Sequence, residues 1–209
     1  VQTATENRAV CAQFLRQLLD RGLHMTDGVL VVIDGSRGLA AAVHEVFGAH
    51  GVVQRCQWHK RENVVRYLPK SHQGRVRRQL QRAYDQPTYD RAKKALATVR
   101  RELVLLNTSA AASLDEGLEE TLTLHRLGCF RAVGASLKTT NVLESINARI
   151  ASRTDKVDVW KNSEQKHRWL AAALLDLEPR LHRIKGFAAL PQLQAALARE
   201  LRHARKTAA

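Results

Sequence analysis

Strand-forming sequence in this 209-residue chain ends by residue 56, and what there is falls short of a sheet. Val29–Ile33 is an unbroken apolar, mostly β-branched run between Gly28 and Asp34-Gly35-Ser36. Such a run reads as a buried strand of parallel character. Val52 and Val53, continuing towards Arg55-Cys56, form a second short strand. Residues 5–21, with Val10, Phe14, Leu15 and Leu18 at helical spacing and a stop at Gly22, precede the first strand. Leu39–Phe47, stopped by Gly48, lies between the two. Helix, strand, helix, strand is half of a βαβ-type layered fold. Two strands do not hold as a sheet alone. The sheet is therefore expected to be completed by sequence preceding Val1 or by a partner chain. A start at Val1 rather than Met fits a fragment.

From about His59 onward the pattern is helical only. Residues 61–67, 71–84, 87–106 and 113–127 carry helical patterns, and Pro69 and Pro87 separate helices. Ser113 with Glu116 three residues later reads as a capping box opening the fourth. Loop signals surround Gly128 and Gly134. Helix resumes at 141–151, 162–177 and 190–205, with Asn162 and Gln165 as a further cap and breaks at Glu178-Pro179 and Lys185-Gly186. The class expected is α/β, mostly α by residue count.

The net charge of +14 is unevenly spread. Residues 1–59 balance, 60–101 hold thirteen Lys or Arg against three acids, 102–144 are net acidic, and 145–209 hold thirteen bases against six acids. Two basic blocks around an acidic one suit phosphate backbones, which bind by counterion release. They equally describe solvated helix faces. Three cysteines, Cys11, Cys56 and Cys129, argue against a disulfide framework and for a reducing compartment. No run approaches the ~18 apolar residues of a membrane span.

Asp34 stands at the carboxyl end of an apolar strand, where ligands bind in open α/β sheets. A carboxylate there suits a hard divalent cation, although Asp-Gly is also turn chemistry. Glu144 follows Asn141 by three residues, so it either serves a site or closes a capping box. Cys56 and His59 have metal-ligand spacing but supply only two ligands. His125 and Cys129 are the other candidates for a structural zinc set of four. Packing beside the strand end is the alternative. Trp58, Trp160 and Trp169 could stack on bases. Trp169, in a stripe with Leu170 and Leu174, reads as core.

These pieces occur in a distinctive order: Val32-Ile33-Asp34-Gly35-Ser36-Arg37-Gly38-Leu39, Arg55-Cys56-Gln57-Trp58-His59-Lys60, the stretch from Asn107 to Gly128, Lys138-Thr139-Thr140-Asn141-Val142-Leu143-Glu144-Ser145-Ile146-Asn147, Trp160-Lys161-Asn162, and Arg168-Trp169. From about residue 5 to 195 the chain resembles the Mutator-like family of bacterial insertion-sequence transposases. The resemblance implies an incomplete ribonuclease-H-like fold, its first strands missing, interrupted by an all-helical insertion. The division expected is 1–60 for the core, 61–136 for the insertion, and 137–209 for the last catalytic helix and C-terminal helices. It implies Asp34 and Glu144 as the second and third carboxylates of a DDE site holding two Mg²⁺ ions, with Mn²⁺ as an alternative, for phosphoryl transfer. It implies Cys56 and His59 as structural support of the site. The first catalytic Asp has no counterpart here, since Asp20 and Asp27 lie in or after the first helix. The chain alone is thus expected to be inactive, either as part of a transposase that cleaves transposon ends and joins them to target DNA when whole, or as a catalytically dead DNA-binding remnant. Expected DNA contacts are Lys60, Arg61, Lys138, Asn141, Arg149, Trp160 and Lys161. Double-stranded DNA and further copies of the chain are the expected partners, in the bacterial cytoplasm at the nucleoid.

Overall fold

A computed structural model describes residues 7–207. Residues 5 and 6 of the first expected helix lie outside that range. Helix α1 (Arg8–Asp20) begins where Asn7 accepts a hydrogen bond from the Val10 amide. It leads into β1 (Val29–Ile33), α2 (Arg37–Phe47) and β2 (Gly51–Arg55). The two strands pair in parallel, Val29 opposite Gly51 through Ile33 opposite Arg55.

Alternation along the strands separates two cores. Val31, Ile33 and Val53 face α1 and α2, where Cys11, Leu15, Val43 and Phe47 are buried. Leu30 and Val52 face the other way. There they meet residues of α8 (Thr123–Arg126), α9 (Phe130–Leu137) and α12 (Leu190–Thr207). Helices thus cover both faces, as an apolar parallel pair requires.

The outer edge of β2 is closed without a strand. Thr123 Oγ1 donates to the Val53 carbonyl at 2.6 Å. Gln54, fully buried, donates to the Thr121 carbonyl at 3.0 Å and accepts from the Leu124 amide at 2.9 Å. A buried amide is tolerated because it is bonded on both sides. β1 pairs only with β2 among the described residues.

Between strand and last helices lie α3 (Gln57–Val65), α4 (Lys70–Tyr84), α5 (Tyr89–Leu106), α6 (Thr108–Asp115) and α7 (Leu118–Thr121). The third core sits among them, around Val64, Val76, Leu80, Leu96, Leu103 and Leu114. The expected single helix over 113–127 is a correction. Asn107 caps α6 by accepting from the Ala110 amide, Gly117 turns left-handed at φ +64°, and three short helices result. Ser113 and Glu116 therefore form no capping box. Glu116 ends α6 and reaches into a charge cluster instead. Gly134 also departs from expectation. It lies inside α9 with the Phe130 ring against it.

The chain then forms α10 (Asn141–Thr154) and α11 (Ser163–Leu177), which pack on each other. Asn162 caps α11 by accepting from the Gln165 amide at 2.8 Å. Trp169 is 42% exposed, not core as its stripe suggested, because α11 buries only Ala173 and Leu177. Among the described residues no helix is long and apolar enough to cross a membrane.

Candidate active site

Asp34 follows the last residue of β1, and its Oδ1 accepts from the Ser36 amide at 3.0 Å. That bond is the turn chemistry of an Asx residue. It also fixes the carboxylate at the strand's carboxyl end. Cys56 lies beside it, because its amide continues the ladder by donating to the Ile33 carbonyl at 2.7 Å. Cys56 then leads into α3, which places His59 over the strand ends. The Gln57 amide donates to the Lys138 carbonyl at 3.0 Å. This bond draws the start of α10 to the same place.

A chain of polar contacts results. Thr140 Oγ1 donates to Glu144 Oε1 at 2.8 Å. The same hydroxyl lies 3.3 Å from His59 Nδ1 and 3.5 Å from Cys56 Sγ. His59 Nδ1 is 3.2 Å from Cys56 Sγ, and its Nε2 is 3.8 Å from Glu144 Oε1. A hydroxyl has one hydrogen and two lone pairs. The hydroxyl that donates to Glu144 thus also touches His59 and Cys56, and it ties the carboxylate to α3. Glu144 is held by the residue four before it, not by a cap at Asn141. Thr140, not Asn141, is the residue before the helix.

Asp34, His59, Thr140 and Glu144 line one open cleft of about 470 Å³, with Leu39, Leu143 and Asn147. Two carboxylates far apart in sequence share it. One oxygen of each makes no hydrogen bond among the described residues. Hard oxygen donors of this kind fit a divalent cation. The described residues contain no group of three or more His, Cys, Asp or Glu side chains arranged to hold a metal ion. The four-ligand zinc reading fails with that. The buried His125 ring lies 3.0 Å from the Tyr84 and Gln86 carbonyls and stacks on Phe130, and Cys129 donates to the Leu127 carbonyl.

The expected DNA contacts scatter. Lys60 is a correction: its side chain is 0% exposed, and Nζ donates to the Ser113 carbonyl at 2.6 Å and to that of Glu116. An amphipathic side chain one turn into α3 is drawn inward by carbonyls that need a donor. Arg61 is largely covered and bonds Glu62 and Gln81. Lys138 is paired with Asp85 at 3.1 Å over the Phe130 ring. Asn141 and Arg149 share a groove on α10 with Arg180 and His182. Trp160 is half-buried and Lys161 exposed in the segment before α11. Trp58 is 41% exposed, edge-on to His59.

Sequence reasoning missed Thr140, whose place four residues before Glu144 was the available signal. It also missed a second cluster. Arg55, Lys60 and Arg37 all surround the Glu116 carboxylate, at 3.3, 3.7 and 3.0 Å. Burial, the Arg55 charge close by second, lowers the Lys60 pKa to about 8.

A family model described as "Transposase, Mutator family" matches residues 1–183. The chain is 33% identical over 171 residues to the transposase for insertion sequence element ISRM5 of Rhizobium meliloti (strain 1021), covering 82% of this chain and 42% of that protein. It is 31% identical over 151 residues to the transposase for insertion sequence element IST2 of Acidithiobacillus ferrooxidans, covering 72% and 50%. It is 27% identical over 177 residues to the transposase for insertion sequence element IS256 in transposon Tn4001 of Staphylococcus aureus, covering 82% and 43%. The chain thus spans about half the length of the curated relatives it matches. With a family match over most of its length and a relative a third identical across four-fifths of it, the chain belongs to the Mutator family of transposases.

Proposed function

We propose that Asp34 and Glu144 are two carboxylates of a DDE-type site, on a ribonuclease-H-like core, that cuts transposon ends and joins them to target DNA. The observation that carries this is their meeting in one cleft, from a strand end and from the first turn of α10. On this reading, 61–136 is inserted between the two parts of the core.

Asp34 and Glu144 would hold Mg²⁺, or Mn²⁺ in its place. When bound, such ions activate an attacking water or 3′-hydroxyl and stabilise the leaving oxygen. Thr140 and His59 keep Glu144 oriented towards the cleft, with Cys56 backing His59. Cys56 and His59 are then positioning residues. DNA passes the cleft as substrate, and further copies of the protein assemble on paired ends.

The test uses the full-length protein containing this chain, with a transposon-end duplex and Mg²⁺. Asp34→Asn and Glu144→Gln should each abolish cleavage and joining while end binding persists. Joining by either variant at the wild-type rate would refute the assignment. Because the described residues gather no third ligand, the 209-residue chain alone is expected to bind DNA without nicking it. Mg²⁺-dependent nicking by that chain would overturn this part.

A further inference from the structure

A second cleft, of about 530 Å³, opens on the other side of the Asp34–Gly35 turn, between that turn, α3 and α6. Asp34 lines the carboxylate cleft and Gly35 lines this one. Its character is opposite. Arg37, Arg55 and Arg66 line it, and the carboxylate within it is Glu116.

Arg55 forms the floor. It is 6% exposed, with Nη1 donating to the Glu116 carbonyl at 3.0 Å and Nη2 to its carboxylate at 3.3 Å. Its Nε is buried without a hydrogen-bond partner. A buried donor left unbonded costs about 1–3 kcal/mol and calls for an explanation. Gly35 packs directly against the guanidinium, and only glycine leaves room for it there. At φ +114° a Cβ there would lie 2.8 Å from Arg55 Nε. At the mouth, Arg37 is 88% exposed and pairs with Glu116. Arg66 is held over the Tyr67 ring, 5.5 Å from its centre. Lys60 lies beneath, so one carboxylate faces Arg37, Arg55 and Lys60 at once, and Arg66 adds to the excess. Planar guanidinium forks with surplus positive charge are matched to phosphate oxygens.

We propose that this cleft seats a backbone phosphate of the DNA strand that crosses the Asp34–Gly35 turn. Arg37 and Arg66 grip the phosphate at the mouth, and Arg55 supplies the positive floor. Glu116 holds Arg37 in place until DNA arrives. The proposal rests on the reading of the chain as a DNA-acting transposase, and it adds a contact that positions the strand next to Asp34.

The test measures binding of a duplex oligonucleotide by fluorescence anisotropy across a salt series. It compares the full-length protein containing this chain with its Arg37→Gln, Arg66→Gln and Arg21→Gln variants. Arg21 caps the far end of α1 and serves as control. Thermal melts check that each variant folds. One lost phosphate contact lowers the slope of log K against log salt by about 0.9, which is about eightfold in affinity at 0.1 M salt. Arg37→Gln and Arg66→Gln should each show that loss, and Arg21→Gln should not. If the wild type binds DNA and both variants match it, the cleft assignment is overturned while the transposase reading stands. If the wild type shows no salt-dependent DNA binding, both fall. Broadening of the ³¹P signal of inorganic phosphate by such a protein would then mark the cleft as a free-phosphate site, again overturning the proposal.

Discussion

Replacing the buried Lys60 with methionine should flatten the alkaline rise in this protein's stability. Lys60 has no exposed side-chain surface, and its pKa falls from 10.5 to about 8. Burial is the main cause and the neighbouring Arg55 the second, with Glu116 opposing both. The folded amine therefore holds its proton less tightly than the unfolded one. Between about pH 8 and 10.5 the unfolded state binds more protons, so stability rises with pH across that window. That lowering, at ~1.4 kcal/mol for each tenfold change in proton affinity, makes the penalty below pH 8 about 3 kcal/mol. Lys60→Met removes that penalty. It also leaves the Ser113 carbonyl without its donor, at about 1–3 kcal/mol, while the Glu116 carbonyl keeps its bond from Arg55 Nη1. The two effects oppose each other at pH 7, so the absolute stability there does not decide the matter. What must change is the pH dependence. Urea unfolding of both proteins at pH 7.5 to 10.5 should show the difference moving by about 3 kcal/mol in favour of the wild type. Groups common to both, such as Tyr84, cancel in the difference. A difference that stays constant over the window would refute the reasoning.

Gly186 turns at φ +85° with its Cβ position in collision with the Ala132 carbonyl oxygen, so Gly186→Ala should cost roughly 2–5 kcal/mol in thermal unfolding. Gly22→Ala, at φ +96° in open space, should cost only ~1 kcal/mol, and equal losses would show that the Ala132 clash is not felt. Leu103→Ala, in the fully buried helical core, should cost about 2–5 kcal/mol, whereas Leu105→Ala, 87% exposed, should stay within about 0.5 kcal/mol. Burial, with Lys138 nearby, holds the His125 pKa below its usual 6.5 despite the Gln86 and Tyr84 carbonyls. Its contribution is therefore complete above pH 6.5 and lost as pH falls below it. Urea midpoints from pH 7 to 5 should fall less in His125→Gln than in the wild type, and parallel curves would exclude His125 as the cause.

Local pattern determined much of this protein. An unbroken β-branched run can bury both faces, so β1 was legible residue for residue, and Asn162 announced its cap because a short side chain acceptor there has one local use. The order of motifs was enough to identify the family. Asp34 at a strand end was visible for the same reason as the strand. What local pattern did not carry is who meets whom. Glu144 reaches the Asp34 cleft because the Gln57 amide captures the Lys138 carbonyl and Thr140 bridges to His59, bonds between segments some eighty residues apart. Lys60 looked like a DNA contact and Glu116 like half of a capping box. Tertiary packing turned them into the interior of a charge cluster, since carbonyls freed at the end of α6 needed donors, which Lys60 of α3 and Arg55 of β2 supply. Trp169 shows the converse: helical periodicity describes a stripe, but whether the stripe is covered depends on what the rest of the fold lays against it.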